Sequence, residues 1–167
     1  QTISLPVAGN VLMRHGIYAA VNALAAEGYT PQTLLFGISI PERMREIKLK
    51  TMMEAAQDVC TQENIQILGG HTEVSEAVST PVLSVTAVGT GAGLAEKKVA
   101  GLDIVVTKYI GMEAAALLAQ EKEAQLLARF PKVMVEKAKG FEKYLSILPE
   151  AATAGKSGVS FMQAVRE

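Results

Sequence analysis

The amino-acid sequence predicts a mixed α/β fold in which helices pack on a β-sheet. Short apolar runs with β-branched members alternate with longer apolar patterns of helical period, as in α/β proteins. Apolar residues make up 49% of the 167 residues, and no apolar run approaches the roughly 20 residues of a membrane span. The formal net charge of −1 removes the broad positive field that non-specific nucleic-acid binding needs. We therefore expect an α/β protein with neither nucleic acid nor membrane as a partner.

Two amphipathic helices are predicted in the first half of the chain. Apolar side chains recur at helical spacing from Met13 to Leu24, and Gly28 follows as a C-terminal cap. The second helix, at about 42–64, has one face of Met, Ala, Val and Cys side chains and a charged opposite face. Cys60 lies on that apolar face, which indicates a buried small side chain rather than a nucleophile.

Short apolar runs predict the strands of the first half. One run lies between Pro31 and Pro41, and another at 65–68 ends at a glycine pair before a polar loop at 71–79. The chain begins on a strand, without an initiator methionine or a signal segment, so we expect a piece of a longer protein. The predicted order is strand 2–7, helix 13–27, strand 33–40, helix 42–64, strand 65–68, loop 71–79 and strand 81–89.

The sequence beyond residue 100 predicts the start of a second α/β unit. Glycines and a lysine pair at 91–100 indicate a linker or a domain edge. Alanine- and glutamate-rich segments with helical apolar spacing follow, and Pro131 separates two of them. The predicted elements are a strand at 103–110, a helix at 112–129, a helix through 134–145 and a last helix at 161–167.

The acidic residues are strongly skewed toward glutamate. Of the 17 acids, 15 are Glu, and only Asp58 and Asp103 are Asp. Magnesium in nucleotide sites is held by compact oxygen ligands, often short carboxylates. The composition therefore predicts a poor supply of ligands for a magnesium-nucleotide site.

The most informative segment for function is Gly69-Gly70-His71-Thr72-Glu73. Two glycines directly after a buried strand let the backbone approach a ligand closely, and the polar residues that follow sit where α/β proteins tend to bind ligands. A tight turn that needs positive φ is the alternative. His71 has the chemistry of a general base, a phosphate contact or a single metal ligand, or it is an ordinary loop histidine.

The order of these segments resembles the aminoimidazole ribonucleotide (AIR) synthase-like superfamily. This superfamily includes hydrogenase maturation proteins of the HypE type, thiamine-monophosphate kinase and selenophosphate synthetase. The likeness covers nearly the whole chain and is closest to the HypE-type and AIR synthase-related branch. The segments that carry it are 15–16, 21–25, 34–40, the long helix, 66–72, 80–89 and 101–108.

The resemblance implies an AIR synthase-like N-terminal domain at 1–100 and the beginning of the C-terminal domain at 101–167. It implies ATP as a cofactor, phosphoryl transfer or metal-cluster maturation, a cytoplasmic location, a protein partner and a homodimer. The dimer would form through a shared barrel-like sheet. The expected nucleotide- or anion-binding residues are those of the loop 69–73 and the helix residue that faces it, namely Asn22, Gly69, Gly70, His71, Thr72 and Glu73.

Several positions depart from the family pattern. Ala23, His71 and Ala164 stand where the family carries carboxylates, and the strand near 4–10 has no acid. We therefore expect no metal held by this segment, Mg²⁺ only with ligands from outside it, and an anion beside His71. Two functions stay open, an ATP-using enzyme or maturation factor with an altered acidic site and a catalytically degenerate dimeric scaffold. An unrelated α/β domain is the third alternative.

Overall fold

A computed structural model describes residues 2–6, 10–94 and 100–165. Its sheet has four strands in the order β1-β4-β2-β3, with β2 and β3 parallel and the other pairs antiparallel. This mixed sheet, with helices packed on it, confirms the predicted fold class. The strands are β1 (Thr2–Pro6), β2 (Thr30–Ile40), β3 (Gln66–Val74) and β4 (Val82–Thr90). The helices are α1 (Asn10–Ala26), α2 (Glu46–Gln62), α3 (Met112–Glu121), α4 (Glu123–Leu127), α5 (Lys132–Lys139) and α6 (Leu148–Lys156), with a 3₁₀ turn at Gly140–Tyr144.

The two faces of the sheet differ because side chains alternate along each strand. In β2, Leu34, Phe36 and Ile38 are buried against α1 and α2, whereas Leu35 on the other face is 37% exposed. β4 follows the same rule, and its buried residues extend the same core. The opposite face, which we call the open face, is formed on β2 and β4 by the alternate residues Thr33, Leu35, Gly37, Ser39, Val82, Ser84, Thr86 and Val88.

The prediction that the third strand ends at residue 68 was wrong. The structure continues β3 to Val74, so the predicted loop at 71–79 begins inside a strand. A Cβ atom at Gly70 would lie 2.1 Å from the carbonyl oxygen of Phe36 on β2. Gly70 therefore permits close approach of two strand backbones, which local sequence did not reveal, and the tight-turn alternative is also wrong.

The first two helices agree closely with the prediction. Gly28 has a φ of 86° and caps α1, with its N–H donating to the carbonyl of Ala25 at 2.9 Å. α2 begins four residues later than predicted, because a turn in which Met44 N–H donates to the carbonyl of Pro41 occupies its expected start.

The second part of the chain differs more from the prediction. Residues 103–110 form no strand, since no described strand pairs with them, and Ile104 is 92% exposed. The predicted helix at 112–129 is interrupted at Lys122. Residues 161–165 are not helical, and 166–167 lie outside the described residues. No helix in the described part of the chain has the length and apolar character for crossing a membrane.

Candidate functional site

The open face of the sheet carries a shallow pocket of about 170 Å³ around His71 and Glu73. The strand register pairs His71 with Gly37 and Glu73 with Ser39, so both β3 side chains lie on the same face. Gly37 leaves the space beside His71 free of a side chain. Val82 and Ser84 on β4 complete the lining. The structure thus brings His71 and Glu73 together, as residues two apart on one strand.

A hydrogen bond orients the carboxylate in this pocket. The Ser39 hydroxyl donates to Glu73 Oε1 at 2.6 Å, which uses one of the two carboxylate oxygens. A protonated His71 would attract an anion here, while the Glu73 carboxylate would oppose it. No group of three or more His, Cys, Asp or Glu in the described residues has the arrangement of a metal site.

The remaining β3 residues of the predicted site do not share this pocket. Thr72 pairs with Ile38, so it lies on the opposite side of β3 from His71 and Glu73, where this edge strand is exposed. Gly69 pairs with Leu35 at the adjoining position of the open face. The segment 69–73 is therefore split between two faces of the sheet.

Asn22 lies on α1, on the other side of the sheet, and does not face the β3 segment. Its Nδ2 donates to the carbonyl of Leu145 at 2.7 Å, and its Oδ1 accepts from the N–H of Ile147 at 3.0 Å. Both ends of the amide are thus used to hold a chain segment more than 120 residues away in sequence. Asn22 therefore has a structural role on the helical side of the sheet, away from His71 and Glu73 on the open face, and its place in the ligand site stays a prediction.

Two further residues of α1 contact acidic side chains that are distant in sequence, and local patterns did not predict these contacts. His15 is 2% exposed, and its Nδ1 lies 3.0 Å from Glu113 Oε1 at the start of α3. Arg14 forms ion pairs with Asp58 Oδ2 at 3.0 Å and with Glu142 Oε1 at 3.3 Å. These contacts join α1 to α2 and to the second part of the chain. Only a long-range pairing signal would have revealed them.

The lone cysteine is buried as predicted. Burial raises the pKa of the Cys60 thiol to about 11, so the thiol stays protonated at neutral pH. A protonated buried thiol is a poor nucleophile. Cys60 therefore lies in the hydrophobic core, on the apolar side of α2.

A second, larger cavity of about 810 Å³ lies between α1, the turn that follows it and the segment 160–165. Ala23 and Ala164 both line this cavity. These are two of the three positions at which the family resemblance places carboxylates. Two positions that depart from the family pattern are thus far apart in the sequence but line the same cavity.

The fold defines the class of protein as an α/β domain of the AIR synthase-like type. A family model described as AIR synthase related protein, N-terminal domain, matches residues 11–91. This match confirms the resemblance inferred from the sequence and extends over just under half of the chain. A comparison with curated proteins finds no match.

Solved structures support the same fold. Thiamine monophosphate kinase from Aquifex aeolicus superposes with a TM-score of 0.71 at 16% identity, over 93% of this chain and 54% of that chain. The protein tt0281 from Thermus thermophilus gives 0.69 at 23% identity, over 93% and 52%. E. coli HypE gives 0.60 at 18% identity, over 74% and 42%. This chain thus spans about half the length of the kinase and less than half the length of HypE.

Some of the similar structures contain ligands or partners. The Aquifex kinase has been crystallised with AMPPCP and TMP, and a HypE with ATP. A HypE is also known in complex with HypF. At identities below 25%, these likenesses establish the fold of this chain.

Proposed function

We propose that this chain forms the N-terminal, nucleotide-binding-type part of an ATP-using AIR synthase-related protein with an altered acidic site. Its chemistry would be phosphoryl transfer or metal-cluster maturation. The observation that carries the proposal is the pocket of His71 and Glu73, on a fold whose solved examples include ATP and AMPPCP complexes. The family match of residues 11–91 supports it.

The pocket suits one phosphate group of a nucleotide. Its volume of about 170 Å³ is below the roughly 300–1,000 Å³ of pockets that enclose a drug-sized ligand. His71 would donate a charge-assisted hydrogen bond to a phosphate oxygen where the family carries a carboxylate. The His71 imidazolium would thus contact the phosphate directly, in place of a contact through a metal ion. Mg²⁺ would need ligands from outside this segment.

ATP titration of the full chain by calorimetry, with and without Mg²⁺, tests this function. We expect binding that His71→Ala weakens about tenfold, since a charge-assisted hydrogen bond contributes ~1.5–3 kcal/mol. Glu73→Gln should strengthen binding, because it removes a negative charge beside the phosphate. Gln66→Ala, at the other end of β3, is the matched control and should change nothing. Absence of heat, or equal affinities of wild type and His71→Ala, would contradict the proposal.

We also propose a homodimer through the open face, a protein partner and a cytoplasmic location, with the domain boundary near residue 100. On the open face, Leu35 and Val88 are 37% and 46% exposed. No described segment of the chain covers them. A second copy would bury these side chains together with the neighbouring threonines. The HypE complex with HypF supports the idea of a protein partner.

Replacing Leu35 by lysine should convert the dimer into a 17.7 kDa monomer. A charged side chain at the centre of the open face would have to be buried without a partner in the dimer, which is costly. Light scattering coupled to gel filtration measures the mass. Ile47→Lys is the matched control, because Ile47 is 57% exposed on α2, on the helical side of the sheet. An unchanged mass for Leu35→Lys would argue against this interface.

A catalytically degenerate dimeric scaffold of the same fold is the second candidate. The alanines at positions 23 and 164 of the large cavity favour it, since they offer no ligand to a metal. It predicts the dimer without ATP turnover. Measurable ATP turnover that His71→Ala abolishes would count decisively against it.

A further inference from the structure

The cavity of about 810 Å³ has the dimensions of a small-molecule site. Pockets that enclose drug-sized ligands measure roughly 300–1,000 Å³. One wall is the face of α1 that carries Ala19, Ala23 and Ala26, and the facing wall is the segment 160–165. Because two separate parts of the chain form the walls, the space is a groove between them rather than the surface of one helix.

The described lining does not fit a magnesium-triphosphate group. It contains neither lysine nor arginine to neutralise phosphates, and Glu27 is its single carboxylate. Ala23 and Ala164 offer methyl groups where the family resemblance places acids. A triphosphate here would meet apolar walls and one negative charge, both of which are unfavourable.

Glu27 is the charged side chain of the described lining, and Tyr29, Ser160 and Gln163 are its other polar side chains. Glu27 forms no ion pair with any described residue, and the rings of Tyr29 and Phe161 stand on the same lining. A carboxylate beside aromatic rings attracts organic cations, through its charge and through the negative faces of the rings. The described lining contributes no competing positive charge.

Backbone contacts hold the part of the groove around Glu27 and Tyr29 in place. Gly28 adopts a φ of 86° and turns the chain between Glu27 and Tyr29. The Leu94 N–H donates to the Glu27 carbonyl at 3.0 Å. A Cβ atom at Gly93 would lie only 3.0 Å from the Tyr29 hydroxyl oxygen, so a glycine there lets the tyrosine pack closely. These contacts hold the backbone of Glu27 and the ring of Tyr29 against the segment 93–94.

We infer that this groove binds a small, largely apolar organic cation, such as an aromatic amidine or amine, and not a metal-bound nucleotide. The alanine walls hold the apolar body of the ligand. Glu27 and Tyr29 hold its positive group. The inference is independent of the phosphate pocket at His71, which lies on the other face of the sheet.

Three probes of one shape and different charge test this inference on the full chain. Benzamidine is cationic, benzyl alcohol is neutral and benzoate is anionic. In titrations followed by amide chemical shifts, benzamidine should perturb Ala23, Tyr29 and Ala164 and bind most tightly, and benzoate least. Equal binding of benzamidine and benzoate, or shifts spread over the whole surface, would overturn the inference.

Two variants sharpen the test. Glu27→Gln should weaken benzamidine binding about fivefold, as expected for an exposed ion pair, and leave benzyl alcohol unaffected. Glu42→Gln, an exposed acid outside the groove, is the control and should change neither. Ala23→Phe should narrow the groove at its alanine wall and weaken binding of all three probes. If that variant does not fold, the Glu27→Gln comparison decides alone, and equal benzamidine affinity in Glu27→Gln and wild type refutes the inference.

A Mg-ATP titration separates this inference from the proposed function. ATP should shift the amides of His71 and Glu73 and leave Ala23 and Ala164 unchanged. Shifts at Ala23 and Ala164 on addition of Mg-ATP would overturn the cation assignment. Failure of ATP to bind at all would contradict the proposed function alone and leave the benzamidine result to stand.

Discussion

Replacing Gly70 by alanine is expected to lower the free energy of unfolding by about 3 kcal/mol, the upper part of the range for overpacked sites. The added Cβ would lie 2.1 Å from the Phe36 carbonyl oxygen, and its three nearest atoms are all backbone atoms of Phe36, so no flexible side chain can move aside. Strands β2 and β3 would have to separate, at the edge that carries the pocket of His71 and Glu73. Urea unfolding followed by circular dichroism measures the change.

Gly37→Ala is the matched control on the neighbouring strand. A Cβ there would meet only the Cβ of Ser84, at an ordinary 3.5 Å. Since glycine in a strand is about 0.5–1 kcal/mol worse than alanine, this change should be neutral or slightly stabilising. Equal stabilities of the two variants would show that Gly70 is not needed for strand packing. A loss of ATP affinity without loss of stability in Gly70→Ala would restore its predicted role beside a ligand.

The second large effect is expected for Asn22→Ala, which should lower the free energy of unfolding by ~2–4 kcal/mol. The change removes both hydrogen bonds of the amide and leaves the Leu145 carbonyl and the Ile147 N–H without their partner. Each unsatisfied, partly buried group costs about 1–3 kcal/mol. Hydrogen exchange at residues 145–147 should also accelerate, because Asn22 anchors this segment to α1.

Two comparisons distinguish this structural role from ligand binding. Gln57→Ala removes an exposed side-chain hydrogen bond within α2 and should change stability by no more than about 0.5 kcal/mol. Asn22→Asp retains the acceptor for Ile147 but places an oxygen against the Leu145 carbonyl, so it should also be destabilising. If Asn22→Ala instead weakens ATP binding in a protein of unchanged stability, Asn22 belongs to the ligand site after all.

Local patterns predicted the elements that have a strong signal of their own. Helix α1, with its Gly28 cap, and the apolar strand between Pro31 and Pro41 lie where the sequence placed them, because spacing and punctuation are properties of neighbouring residues. The extension of β3 to Val74 and the missing strand at 103–110 were not predictable in this way. A strand forms where a partner strand supplies hydrogen bonds, and the partner is distant in sequence.

Composition and periodicity were enough to predict the fold class, the resemblance to AIR synthase-related proteins and the skew of the acids toward glutamate. Which of these residues lie close together depends on how distant segments pack. Packing placed His71 beside Gly37 and Glu73 beside Ser39 on the open face, bound Asn22 to the backbone of Leu145, and brought Ala23 and Ala164 into one groove. The reason is that composition and periodicity are local, whereas a site consists of side chains that the packing of distant segments brings within contact distance.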